Sequence, residues 1–203
     1  MSYNLITAQG FESDNTPFTL TGTMARSAVS PLAGTYSLRG GNGLAVDGQA
    51  VWTLPTASRP SGGSRAGLRL DVRFKFARGT ATTPTGGTLS VLRIDGSAGS
   101  FIVLDIATAT DKLHLSNVTG TTALGTGTHS IYMDFRQERG ASGWGYWARV
   151  YLDGALEISV RRIGFDAIQD AVVQILLGVG ASGKCTWDAR WDDITVKVAY
   201  DPQ

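Results

Sequence analysis

Hydrophobic residues return at every second position over most of this chain, a period that suits extended strands and no helix. Leu68, Leu70, Val72, Phe74 and Phe76 alternate with Arg69, Asp71, Arg73 and Lys75. Ile131, Met133 and Phe135 alternate with Tyr132, Asp134 and Arg136. Tyr146, Ala148, Val150 and Leu152 alternate with Trp147, Arg149 and Tyr151, and Ile194, Val196 and Val198 with Asp193, Thr195 and Lys197. Successive side chains of a strand point to opposite faces, so each segment has one buried and one wet face. Further strands are expected at Tyr3–Glu12, Phe18–Thr23, Thr35–Arg39, Gln49–Leu54, Thr88–Ile94, Phe101–Ile106, Lys112–Val118 and Ala155–Val160. One candidate helix lies in Ile163–Leu177. Its second half reads as a buried strand, leaving a short helical turn near Phe165–Gln169.

The turns agree with this pattern. Asp47-Gly48, Asp95-Gly96 and Asp153-Gly154 each follow an apolar strand, and Asp-Gly suits the type I′ hairpin. The 26 glycines are about twice the usual share, which fits many turns. About twelve short strands, with no break in composition and no long repeat, predict one domain over residues 1–203. The expected fold is an all-β antiparallel two-sheet β-sandwich of the jelly-roll kind.

Charge and cysteine content narrow the function. Charged residues are 17% of the chain and the net charge is +1. Nucleic-acid binding needs clustered Lys and Arg and is not expected. Charges alternate along wet strand faces, so a partner is expected to be met by rings and shape rather than by field. One cysteine excludes an internal disulfide and a multi-Cys zinc site. No run approaches the ~20 apolar residues of a membrane span, and the N-terminus lacks a signal-peptide pattern. Synthesis in the cytoplasm is expected.

Several motifs can be weighed. Gly178–Cys185 contains G-x-G-x-x-G and a near-match to a phosphate loop. A phosphate loop must open a helix, whereas Cys185–Val198 alternates as a strand, so a hairpin loop is expected. His114 and His129 read as ordinary strand histidines, and Cys185 as a packed residue beside Lys184. Glycosidase chemistry needs two carboxyl groups across a bond. Glu12 and Asp14 run into a turn, and Asp192 and Asp193 point to opposite faces. Catalytic residues are therefore expected to be none, with glycoside hydrolysis or polysaccharide lysis a remote alternative.

Asp192 shares the inward parity of Ile194, and a buried carboxylate needs a hydrogen bond or a cation. Glu12 with Asp192 or Asp193 can be read as a structural Ca²⁺ site, or Asp192 as a cap on local amides. No other cofactor is expected. The aromatics give the binding signal. Trp144, Trp147, Arg149 and Tyr151 lie in or beside one strand, and the last three share its wet face. Tyr, Trp and Arg are enriched in binding hot spots. The competing reading is that the sandwich covers both faces of this strand.

Gly10-Phe11-Glu12-Ser13, followed by Gly34-Thr35-Tyr36-Ser37-Leu38-Arg39, resembles the opening of concanavalin A-like and laminin-G-like jelly rolls. Val150-Tyr151-Leu152-Asp153-Gly154 resembles the laminin-G-like hairpin, and Trp191-Asp192-Asp193-Ile194-Thr195-Val196 the closing strand. The family includes glycosidases, lectins, adhesion modules and phage structural proteins. The glucanase E-x-D-x-E set is missing, as are the alginate-lyase motifs and the legume-lectin metal pattern. In related carbohydrate-binding modules a Glu like Glu12 and an Asp like Asp192 or Asp193 hold calcium, so the resemblance implies the same site here.

Together these readings predict a non-enzymatic virion structural protein, a phage-like head decoration or tail-associated protein. Its partners would be other virion proteins, or itself in a symmetric assembly. The alternative is an extracellular lectin-like module that binds glycans through Trp144, Trp147 and Tyr151.

Overall fold

A computed structural model describes residues 4–40, 48–54, 67–79, 88–96, 99–107, 109–140, 143–165, 172–178 and 188–201. These residues form fifteen strands and no helix. In chain order the strands are β1 (Asn4–Gln9), β2 (Thr19–Gly22), β3 (Ala25–Ser27), β4 (Ser37–Gly40) and β5 (Gly48–Thr53). Then come β6 (Gly67–Arg78), β7 (Thr88–Gly96), β8 (Gly99–Ala107), β9 (Lys112–Leu115) and β10 (Val118–Ala123). The last five are β11 (His129–Gly140), β12 (Gly143–Leu152), β13 (Ala155–Phe165), β14 (Val172–Leu177) and β15 (Ala189–Asp201).

The strands form two antiparallel sheets. The first runs β13-β12-β11-β6-β15-β4-β3, with β1 also paired to β15. The second runs β10-β9-β8-β7-β14-β5-β2. The period-two pattern explains the stacking. Val72, Phe74, Met133, Phe135, Val150 and Val196 line the inner face of the first sheet, while Ile94, Leu104, Ile106 and Ile175 line the second, all buried. The alternating apolar face of each sheet has one dry place to go, the other sheet. The expected antiparallel sandwich is the observed fold.

Two features lock the sheets together. The register of β7 and β8 slips between Ser90 and Leu92, so the carbonyl of Val91 leaves the ladder. The fully buried Trp191 on β15 donates its indole Nε1–H to that carbonyl at 3.0 Å, across the core. At the sheet edges, the Glu157 carboxylate on β13 accepts from the amides of Thr121 and Thr122 on β10.

Local departures from the expected strands have local causes. Lys112–Val118 is two strands, because Ser116 adopts a φ of 59° and turns the chain. The Asp153-Gly154 hairpin is as expected, with φ of 50° and 84°, the two positive values of a type I′ turn. Asp95 and Gly96 belong instead to β7, opposite Ser100 and Gly99, so the reversal comes after them. The expected helical turn begins at Phe165, which ends β13; residues 166–169 lie outside the described residues. Cys185, Lys184 and the rest of the glycine-rich loop beyond Gly178 do too. A strand, β15, follows as expected, but it lies in the first sheet while β14 lies in the second, so the two are not the arms of the expected hairpin.

Candidate functional site

Register assembles the outer face of the first sheet into three rows. One row runs Arg69, Arg136, Trp147, Arg161 across β6, β11, β12 and β13. The next runs Lys197, Asp71, Asp134, Arg149, Ser159, starting from β15. The third runs Thr195, Arg73, Tyr132, Tyr151. Neighbouring strands are about 4.8 Å apart and same-face residues of one strand about 6.8 Å apart, so the rows form a compact grid.

Of the residues expected to bind, Trp147, Arg149 and Tyr151 stand together on this face, each half-buried. The backbone of Trp144 pairs with Phe165 at the far end of β12, and its side chain lies outside the described residues. Sequence reasoning took Asp71, Arg73, Tyr132, Asp134 and Arg136 for an ordinary wet face. The grid makes them direct neighbours of the aromatic strand.

The rings and guanidiniums interleave. Tyr132 and Tyr151 stack, with centroids 5.3 Å apart and planes 18° apart. The Arg73 guanidinium sits 4.4 Å from the Tyr132 centroid, from the strand on the opposite flank. Arg149 and Arg136 lie 4.0 and 5.0 Å from the Trp147 ring centroid. Arg136 is steadied by Asp134, which accepts from its Nε at 3.2 Å and its Nη2 at 3.3 Å. Asp71 and Asp134 sit opposite each other across β6 and β11, 9% and 8% exposed. Burial first, then the hydrogen bond to Asp71, push the Tyr132 hydroxyl above the usual phenol range. The Tyr132 hydroxyl therefore stays protonated at neutral pH and donates a hydrogen bond to Asp71. Asp71 Oδ1 and Arg149 Nε are buried without a hydrogen-bond partner.

The electrostatics depart from expectation. The three rows hold six basic side chains (Arg69, Arg73, Arg136, Arg149, Arg161, Lys197) and two acidic ones (Asp71, Asp134), a formal +4. The whole chain carries +1. Alternation within single strands hides this concentration, because parity gathers like positions of adjacent strands on one face.

The candidate metal residues converge elsewhere, around residues 33–37. Glu12 accepts from the Thr35 amide at 2.9 and 3.0 Å and from the Tyr36 amide at 3.2 Å. Asp192 is fully buried. Its Oδ2 accepts from Ser37 Oγ at 2.7 Å and the Ala33 amide at 2.9 Å, and its Oδ1 from the Asp193 amide at 2.8 Å. Burial first of all raises its pKa, and these bonds oppose the rise. Asp193 Oδ2 pairs with Lys75 Nζ at 2.6 Å. Asp192 does not share the inward face of Ile194. Asp193 has a φ of 48° at a bulge between Asp192 and Thr195, which swaps parity along β15. Asp192 lies opposite Lys75 and is buried by the loop that Ser37 closes. N–H and O–H donors aim their positive ends at these oxygens. No group of three His, Cys, Asp or Glu side chains gathers among the described residues. This donor set does not fit Ca²⁺; it fits carboxylates that tie the loop directly.

The histidines are placed structurally. His129 bonds Asp153 Oδ2 at 2.7 Å and the Leu124 carbonyl at 2.6 Å, fastening the Asp153-Gly154 turn. His114 sits within β9, opposite Asp105 on β8. None of the described residues forms a helix long and apolar enough to cross a membrane.

No protein-family model and no curated protein matches the sequence. Solved structures do match over nearly the whole chain. The endo-β-1,4-glucuronan lyase of the fungus Trichoderma reesei has a TM-score of 0.58 at 13% identity, with 96% of this chain and 94% of that one covered. A conserved carbohydrate esterase of the Shiga toxin-encoding bacteriophage phi24B has a TM-score of 0.58 at 10% identity, covering 97% and 99%. Arcelin-5, a lectin-like defence protein of Phaseolus vulgaris, has 0.57 at 10%, covering 98% and 100%.

These likenesses correct one expectation. The chain was expected not to be an enzyme, yet a lyase and an esterase are built on this fold at almost the same extent. Two carboxylates that the sequence did not bring together also stand opposite each other on this face, Asp71 and Asp134, on different strands. Excluding catalysis is therefore not justified. The chain shares the fold of these structures, a concanavalin A-like jelly roll.

Proposed function

We propose that the outer face of the first sheet is a carbohydrate-binding surface, and that the chain recognises glycans as a component of a virion. The observation that carries the reading is the grid of Trp147, Tyr151, Tyr132 and arginines on one face of a sandwich shared with lectin-like proteins. Tyr, Trp and Arg deliver most of the energy of binding surfaces, and a binding face needs no further cofactor. The virion setting is supported by the phage esterase, whose fold matches over 99% of its length. Other virion proteins, or further copies of this chain, would be its structural partners there.

A glycan array with Trp147→Ala as control tests the binding reading. Binding that disappears in the variant supports it; an array blank for the unmodified chain sinks it. Neighbouring genes for capsid or tail proteins would support the virion setting, and a cluster of metabolic enzymes would count against it.

A second reading is favoured by one observation. Directly opposed cross-strand residues have Cβ atoms about 4.5–5.5 Å apart, close to the spacing at which two carboxyl groups act on one glycosidic bond. Asp71 and Asp134 are directly opposed in this way on the same face. Release of reducing ends from a bound polysaccharide, abolished in both Asp71→Asn and Asp134→Asn, would establish it. Binding without product would leave the recognition reading alone.

A further inference from the structure

Carbohydrate-binding aromatics usually offer an open ring face to the C–H side of a sugar. Here guanidiniums and a second ring already lie over ring faces. Trp147 carries Arg149 and Arg136, and Tyr132 lies between Tyr151 and Arg73. A guanidinium over a ring keeps its N–H fork in its own plane, free of the ring and preorganised for a planar oxyanion. The face thus presents ring edges and N–H forks rather than flat platforms.

The floor of the grid adds a second requirement. Asp71 and Asp134 are short, nearly buried and flanked by Lys197 and Arg149 in the same row. Leaving a buried polar atom unpaired costs about 1–3 kcal/mol. Two such atoms lie in this row, the acceptor Asp71 Oδ1 and the donor Arg149 Nε. A sheet selected for stability alone would not place two carboxylates opposite each other beside an unpaired donor.

We infer that the ligand of this face is an acidic polysaccharide, a polyuronate whose carboxylates meet the Arg73 and Arg149 guanidiniums while its hydroxyls meet Asp71 and Asp134. The inference rests on the carbohydrate-binding reading above and specifies its substrate class. A polyuronate supplies anionic acceptors and hydroxyl donors in alternation, as the rows do in reverse. DNA carries the anions without the ring hydroxyls that would meet Asp71 and Asp134.

Calorimetric titration of the whole chain tests this. The probes are oligomers of glucuronate, galacturonate, mannuronate and guluronate, each paired with its carboxyl-reduced neutral counterpart, plus poly-L-glutamate and a single-stranded DNA oligomer. At least one polyuronate is expected to bind, with roughly tenfold or greater loss on carboxyl reduction, as removal of one charge-assisted bond implies. Arg149→Gln should give a similar loss and Arg149→Lys a smaller one, both with unchanged circular dichroism. Equal binding of a reduced polymer, abolished by Trp147→Ala, would overturn the acidic ligand and leave the carbohydrate face standing. Equal binding of poly-L-glutamate or DNA would overturn it in favour of simple charge. Binding by none of the uronates would overturn it as well. Silence of the reduced polymers and of the glycan array would then remove the carbohydrate reading too.

Discussion

Asp71 and Asp134 face each other across β6 and β11, with Tyr132 bonded to the first and Arg136 to the second. Like charges directly opposed in a sheet are destabilising by up to about 1 kcal/mol. Asp71→Asn removes one charge and keeps an acceptor for the Tyr132 hydroxyl. Its stability in urea should be unchanged or raised by up to about 1 kcal/mol, while ligand affinity falls. A stability loss above about 2 kcal/mol would show instead that the pair is structural.

The cross-core bond from Trp191 to the Val91 carbonyl makes a different prediction. Trp191→Phe keeps an aromatic beside Phe76, whose ring centroid lies 5.4 Å away, but deletes the N–H and leaves a bulge carbonyl buried without a partner. That orphan costs about 1–3 kcal/mol, and the vacated indole volume adds to it. A lowered urea midpoint with an unchanged slope is expected. An unchanged midpoint would mean that the Val91 carbonyl finds another donor.

These two cases mark what the sequence could reveal. Parity along β6, β11 and β12 was legible, and with it the shared face of Trp147, Arg149 and Tyr151. Strand adjacency was not, because Asp71 and Asp134 are far apart in the chain and no local pattern pairs β6 with β11. The +4 face was hidden for the same reason. The inward placing of Asp192 failed through one extra residue. A bulge at Asp193 shifts the period, and two consecutive aspartates carry no signal of it.

Glu12 and Asp192 predict the response to metal. Their oxygens already hold the amides of residues 33, 35, 36 and 193, so a chelator should leave the melting temperature unchanged, and so should added Ca²⁺. A rise with Ca²⁺ would restore the calcium reading, since a ligand bound only to the native state must stabilise it. Gly34→Ala should lower the melting temperature with or without metal. Its φ is +54°, and a Cβ there would stand 2.2 Å from Glu12 Oε1.

Glu157 gives the pH dependence its sign. Burial alone would raise its pKa, but hydrogen bonds from the amides and hydroxyls of Thr122 and Thr121 outweigh burial and hold it below the ordinary 4.5. A carboxyl depressed in the folded state stabilises above its unfolded pKa, and that contribution is lost as pH falls through the folded value. Glu157→Gln should therefore melt lower than the unmodified chain at pH 7, and the gap should close as pH drops below 4.5. Gly120→Ala should mimic it, because a Cβ there would lie 2.6 Å from Glu157 Oε1 and displace the carboxylate from β10. Melting curves between pH 3 and pH 8 read both effects. A gap that stays constant across that range would show that the carboxylate's charge does not join the edges of the two sheets.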